Sequence, residues 1–527
     1  MERISDRHEG DLGGRLEPFG KARRVAVTVV AAPGTAHLAA AQHTAWMLVN
    51  MLARAVGIVT VVRVTCPPLV PVAGRVIPLA GRDLPLREAL VAGGQAIGTV
   101  PVKAAGHPQA GDTVIITCGA HPDAAQWPGA RYAAGHGWWG GVSSQPLLVG
   151  DPASSLPFGP YVAAALAAAE VYLRARFPVS AYGAAAQAVG WDCWTQALTP
   201  SPAPGAPATI PDVDMSGIAL AGAGAVGTVW IHAIWATPGV RGSVLIADAD
   251  KAGVTNSNLN RCPLFGAASL GEPKATEAAR ICHDATVTWD PRKARFEDLG
   301  TTPSILVSAV DTNRAREALQ GRYPPRILSA STRDLRAETL RAGPPGQGAC
   351  LRCYNPPEPL PADDDLRAQV RAGGVPAIRA LAEQADVSEA AIRRWLDQPG
   401  CDEVSDRLLA TLRSDAPEPP PRFAAGFTSV MAGTMLAAET IKLLLGQPLS
   451  PHIPSANNVT FQFLKPAAIT NAARILARDP ACPACPPTGA ATLRWQHRYG
   501  QARFPVHTVL TAPPSAGLTS GEPASRT

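Results

Sequence analysis

The sequence predicts an α/β chain with two mostly parallel sheets in tandem. Three observations carry this. Short apolar runs alternate with apolar helical stretches in both halves of the 527 residues. A Pro/Ala-rich stretch at 201–213 (SPAPGAPATIPDV) separates the halves. Just beyond it, a Gly-rich turn stands between a strand-like run and an apolar helix.

In the first half, residues 24–30 (RVAVTVV), 58–64 (IVTVVRV) and 113–118 (TVIITC) read as strands, and 139–142 as the start of another. Residues 37–56 and 160–177 read as helices. Residues 1–22 read as a flexible or docking arm. The turn after the first strand, AAPGTAH, has one glycine, and Pro33 removes an amide donor. It is a poor phosphate loop.

In the second half, 218–221 (IALA) read as a buried strand and 228–236 as a helix. Gly222, Gly224 and Gly227 form a G-x-G-x-x-G turn between them. Such a turn lets backbone approach a phosphate, and the helix N-terminus favours the anion. A second apolar run, 244–247, ends in Asp248 and Asp250, acids suited to a ribose hydroxyl. Ser257-Asn258-Leu259-Asn260-Arg261 and Lys274 follow. Two cations and several amides there suit a triphosphate; a nicotinamide site needs a flat apolar slot instead. Asp311 ends the run 304–310 and offers a carboxylate for Mg²⁺. Further strands are expected at 287–289, 326–330 and 457–464, with helices at 426–445 and 469–477.

In order and spacing these residues resemble the E1-like adenylyltransferase superfamily, of the ubiquitin-activating and ThiF–MoeB type. The resemblance implies a Rossmann-like domain that binds ATP through Gly222, Gly224, Gly227, Asp248, Asp250, Asn258 and Lys274. It implies that Arg261 acts on the phosphates and that Asp311 holds Mg²⁺. Cys262 departs from the family's usual Gln. E1-like enzymes work as pairs of such domains, so the first half reads as an inactive partner fused to the active one, a pseudo-dimer within one chain. Some pairs lend an arginine across the interface, and Arg15, Arg23 and Arg24 are candidates here.

Two C-x-x-C pairs, Cys350/Cys353 and Cys482/Cys485, suggest a closed thiolate site for structural Zn²⁺. Their wide separation follows the arrangement of E1-like enzymes of the sulfur-carrier type. Between them, 366–372, 375–385 and 389–397 read as helices, followed by Cys401. The family places its thioester-forming cysteine in this region, which makes Cys401 the expected nucleophile. The expected organisation is therefore 1–200 inactive adenylation-like domain, 201–213 linker, 214–360 active domain, 361–420 helical insertion, 421–490 crossing helix and second knuckle, and 491–527 tail.

Composition excludes several classes. Hydrophobic residues make up 46% of the chain, enough for a sizeable core. The net charge of +5 has no basic stripe, and the helix-turn-helix-like ADVSEAAIRRWL carries few cations, so no nucleic-acid partner is expected. Residues 161–173 are short and carry Glu170, and 426–445 carry Glu439 and Lys442, so both read as buried helices and no membrane contact is expected. A charged N-terminus without an apolar core indicates a cytoplasmic protein.

The resemblance is strongest to the E1 component of bacterial antiphage conjugation operons. It implies a ubiquitin-like β-grasp protein as substrate and an E2-like protein as acceptor. A sulfur-carrier adenylyltransferase without thioester transfer, a silent nucleotide-binding scaffold and a peptide-modifying cyclodehydratase partner remain alternatives.

Overall fold

The computed structural model describes residues 24–500, apart from 82, 110, 113, 128, 148–153, 177–187, 285, 334, 347, 357–362, 398–402, 415–424 and 465–467. The expected N-terminal arm, Arg15, Arg23, Cys401 and the tail beyond 500 lie outside the described residues.

The first half forms an eight-stranded sheet. Its strands are β1 (Val25–Ala31), β2 (Val59–Thr65), β3 (Val102–Ala104), β4 (Val114–Cys118), β5 (Arg131–His136), β6 (Trp139–Ser143), β7 (Ala188–Asp192) and β8 (Ala197–Leu198). They lie in the order 3-2-1-4-5-6-7-8. β1 pairs in parallel with β2 and β4, and β5 to β8 pair antiparallel. Helices α1 (Ala39–Ala53), α2 (Leu86–Ile97) and α3 (Phe158–Arg176) cover it. α1 and α3 are buried along almost their whole length, which explains their nearly unbroken apolar runs.

The second half repeats this plan. Strands β9 (Val213–Asp214), β10 (Ile218–Ala221), β11 (Val240–Ala247), β12 (Val287–Arg292), β13 (Ile305–Ser308), β14 (Arg326–Arg333), β15 (Arg336–Ala342), β16 (Asn458–Gln462) and β17 (Ala472–Arg474) make a nine-stranded sheet. The order is 12-11-10-13-14-15-16-17, with β9 beside β11. β10 again sits centrally between two parallel partners, and β14 to β17 pair antiparallel. Strand for strand, β10 to β17 match β1 to β8.

The helices of this half are α4 (Ala225–Ala236), α5 (Asn256–Leu259), α6 (Lys274–Ile281), α7 (Asn313–Gln320), α8 (Leu351–Tyr354), α9 (Asp363–Ala385), α10 (Glu389–Asp397), α11 (Glu403–Ser414), α12 (Gly426–Leu444) and α13 (Ala490–Tyr499). α12 crosses between β15 and β16 as α3 crosses between β6 and β7. It packs on α4, α3, β14 and β15, joining the two halves in one apolar core. Gly433 makes the α12–α4 approach possible, since a Cβ there would lie 2.4 Å from the Val229 Cβ.

The duplication reaches the side chains. Glu170 on α3 accepts from Arg131 Nε at 2.7 Å, and Glu439 on α12 accepts from Arg341 Nε at 2.8 Å. Phe158-x₁₁-Glu170 and Phe427-x₁₁-Glu439 share the same spacing.

Helices α9 to α11 form a separate bundle with its own small core, including Leu366, Leu381, Ile392 and Trp395. α9 breaks at Gly374 (φ 61°, ψ −151°), which divides it near the expected helix boundary. One expectation fails. Residues 469–477 are not a helix; β17 runs there instead. Asn471 Oδ1 accepts from the Gln462 amide at 3.1 Å, and its Nδ2 donates to the Gln462 carbonyl at 3.3 Å. These bonds and the ladder to β16 override the helical propensity of the alanines.

Candidate active site

The site lies at the carboxyl edge of the second sheet. β10 is flanked by β11 on one side and β13 on the other, so the crossovers leave in opposite directions and open a crevice at the strand ends. Register places Ala221 opposite both Ala247 and Ser308. The glycine turn, the Asp248–Asp250 segment and Asp311 therefore emerge side by side.

The three glycines have different reasons. Gly222 has φ +95°, and a Cβ there would sit 2.8 Å from the Ala309 carbonyl oxygen. A Cβ on Gly227 would lie 2.0 Å from the Gly222 carbonyl oxygen. The protein itself requires both. Gly224, the N-cap of α4, has open space where its Cβ would be, and α4 has no side-chain cap. An uncapped helix N-terminus with clear space before it fits a phosphate.

The acids have protein partners. Asp248 Oδ2 accepts from the Ala223 amide at 2.7 Å and Oδ1 from the Asp250 amide at 3.0 Å, tying the glycine turn to the end of β11. Asp250 pairs with Lys274 and accepts from the Ala252 amide at 3.0 Å. Burial alone would raise its carboxyl, but the Lys274 ammonium outweighs this and holds it below the usual carboxylate range. Asp311 is exposed beyond β13.

The Asn258–Arg261 segment is a built turn. Asn258 Oδ1 accepts from the Thr255 amide at 2.8 Å and forms a capping box on α5. Arg261 folds back onto the Ser257 carbonyl and donates to Asn260 Oδ1 at 3.3 Å. Cys262 is fully buried. Burial pushes its thiol up, against the pull of Arg261, Lys274 and Arg54. These interactions bring Arg261, Lys274 and the glycine turn into one electrostatic neighbourhood.

Sequence reasoning missed Arg54. It sits at the end of α1 in the first half, fully buried. It donates to the carbonyls of Leu259 at 2.8 Å and Pro263 at 2.9 Å, and its Nε to Asn50 Oδ1 at 2.7 Å. Burial lowers it to about 9. A polar pair at i, i+4 ending the apolar carboxyl half of α1 was the available signal. Arg24 stands exposed before β1, at the amino end of its sheet.

At the matching place in the first half, the turn after β1 is tied to the end of β4. Thr35 Oγ1 donates to the Cys118 carbonyl at 3.2 Å, and a Cβ on Gly119 would meet that hydroxyl at 2.2 Å.

A second site lies at the far edge. Cys350, Cys353, Cys482 and Cys485 bring their sulfurs within 4.8 Å of one another. Individual separations are 3.6 Å (350–353), 3.8 Å (350–482) and 3.4 Å (353–485). Tetrahedral thiolates at about 2.3 Å from zinc stand about 3.8 Å apart, so the cluster fits that ion. The Cys353 amide also donates to Cys350 Sγ at 3.4 Å.

Fold and candidate site together define an α/β protein of two Rossmann-like sheets with a glycine turn at the switch point of the second. The chain belongs to the ThiF family, whose profile matches residues 208–484, just over half of it. A curated relative, protein y4jF of Sinorhizobium fredii (strain NBRC 101917 / NGR234), is 28% identical over 358 residues. That match covers 59% of this chain and 65% of the relative, leaving about a third of the latter unmatched. Among solved structures, E. coli MccB with MccA-N7isoASN is 16% identical, covering 51% of this chain and 66% of that one at a TM-score of 0.34. E. coli MccB with ATP is 14% identical, covering 52% and 67% at 0.34. Among the described residues no helix is long and apolar enough to cross a membrane.

Proposed function

We propose that the chain is an ATP-dependent adenylyltransferase that activates the C-terminal carboxylate of a ubiquitin-like protein. The carrying observation is the glycine turn at the β10–β13 switch point, with Lys274 and the Arg261 turn beside it and open space at Gly224. The carrier's carboxylate oxygen attacks the α-phosphorus of ATP, and pyrophosphate leaves with the bonding electrons. Gly222, Gly224 and Gly227 admit the phosphates, Asp248 and Asp250 face the ribose, and Asn258 supports the nucleotide. Arg261 and Lys274 neutralise charge that grows on the leaving pyrophosphate. Mg²⁺ bound at Asp311 would screen the phosphates.

In the second step the Cys401 thiolate attacks the acyl carbon, AMP leaves, and a thioester remains for an E2-like acceptor. Cys401 carries this role by sequence resemblance and by its place in the helical insertion. Zn²⁺ at Cys350, Cys353, Cys482 and Cys485 is structural. Membership of an antiphage operon and a cytoplasmic location complete the reading.

The four-cysteine cluster favours a second reading, a sulfur-carrier adenylyltransferase that stops at the adenylate. One experiment separates them. Purified protein is mixed with Mg-ATP and candidate β-grasp carriers and followed by pyrophosphate exchange and intact mass. A carrier adduct on Cys401 that dithiothreitol removes and Cys401→Ser abolishes supports transfer. Exchange without an adduct supports the second reading. Absence of exchange with every carrier, together with no ATP binding, overturns both.

A further inference from the structure

The turn after β1 lacks the G-x-G-x-x-G pattern of the second half, yet α1 and α2 grip the segment that follows β11. Arg54 and Asn50 both donate to the Pro263 carbonyl, at 2.9 Å each, and Arg54 also holds the Leu259 carbonyl. Further on, a Cβ at Gly266 would lie 2.4 Å from the Ala96 carbonyl oxygen at the end of α2. The two carbonyls that Arg54 holds lie two residues to either side of Arg261.

All three hydrogen-bonded acceptors of Arg54 are neutral, and among the described residues no carboxylate pairs with it. Burying a guanidinium without a counter-ion is costly. An apolar side chain would join the halves without that penalty. What a guanidinium adds is a rigid, forked set of donors that holds several acceptors in fixed relative positions.

We propose that Arg54 is a positioning residue for the nucleotide site, acting across the two halves to fix the 259–263 turn so that Arg261 meets the phosphates. The role rests on the nucleotide-binding reading above. It makes the first half a frame for the loop.

The test uses the full chain titrated with Mg-ATP and, separately, with AMP. Arg54→Met weakens ATP by about tenfold or more and AMP by less than about twofold, because AMP lacks the phosphates that Arg261 meets. Arg54→Lys, whose ammonium still reaches one carbonyl, recovers part of the loss. Amide hydrogen exchange without nucleotide supplies an independent reading: residues 257–263 exchange faster in Arg54→Met while β10 to β14 keep wild-type protection.

Wild-type ATP affinity in Arg54→Met, equal losses for ATP and AMP, or unchanged exchange at 257–263 overturns the proposal. Wild-type protein that binds no nucleotide overturns the site reading, and the positioning role with it. Where Arg54→Met does not fold, Asn50→Ala removes one contact to the Pro263 carbonyl and is read in the same way. Faster exchange at 257–263 with weaker ATP supports the role, and unchanged ATP affinity counts against it.

Discussion

Lys274 closes an ion pair with Asp250 across the crevice beside the glycine turn. The lysine side chain is largely buried there, while the aspartate is more open. On the proposed function, a bound nucleotide would rearrange this pair, the ammonium turning to phosphate and the carboxylate to ribose.

Lys274→Ala is expected to lower pyrophosphate exchange by about 100-fold or more, since a preorganised cation at developing charge contributes several kcal/mol. Asp250→Asn keeps the shape and removes the charge that holds Lys274. It should weaken nucleotide binding by roughly tenfold, the scale of one hydrogen bond to a charged group. Steady-state kinetics and calorimetry give both numbers.

A buried histidine pair makes stability depend on pH. His43 on α1 and His232 on α4 are both fully buried beside Tyr161, and burial lowers each to about 3. Unfolded, each titrates near 6.5. The full contribution is therefore present above 6.5. It is lost as pH falls from 6.5 toward 3, because the unfolded chain takes protons that the folded one refuses. At about pH 5 the loss is on the order of 2 kcal/mol per histidine. Urea denaturation at both pH values, repeated with His43→Gln, checks this; the variant should show a shallower pH slope.

Glu439 sits at the centre of a buried network. It accepts from Lys442 Nζ at 2.7 Å, Gln196 Nε2 at 2.8 Å and Arg341 Nε at 2.8 Å. Glu439→Ala leaves the buried Lys442 and the half-buried Arg341 without their shared partner and should cost about 3–5 kcal/mol. Because Gln196 belongs to the first half, the loss should appear as a less cooperative melt by calorimetry.

Metal removal should act at a distance from the nucleotide crevice. Chelation, or Cys353→Ser, is expected to release one zinc per chain and lower the melting temperature by several degrees or more. Nucleotide affinity in the surviving folded fraction should change little. Metal analysis beside a thermal melt tests the assignment; a chain that holds no zinc before chelation contradicts it.

The two-sheet architecture was legible from alternating apolar runs and the Pro/Ala boundary, and the glycine turn from its flanking strand and helix. The short-range pattern around Asp248, Asn258 and Lys274 marked the candidate site, because a phosphate site would need those residue types close together along the chain. The duplicated Phe-x₁₁-Glu spacing on α3 and α12 was also present in the sequence, but most of the residues between differ in the two helices, and the shared Phe and Glu carry little signal alone.

What the sequence by itself determined is local: strand, turn, helix and the identity of the charged groups at the strand ends. Tertiary structure decided the rest. It made residues 472–474 a strand where alanines favour a helix, gathered four cysteines from distant segments, tied Thr35 to the Cys118 carbonyl, and carried Arg54 across to Leu259 and Pro263. The physical reason is that propensity and motif act over a few residues, whereas a buried guanidinium or thiolate cluster takes its meaning from partners far along the chain that only packing brings within reach.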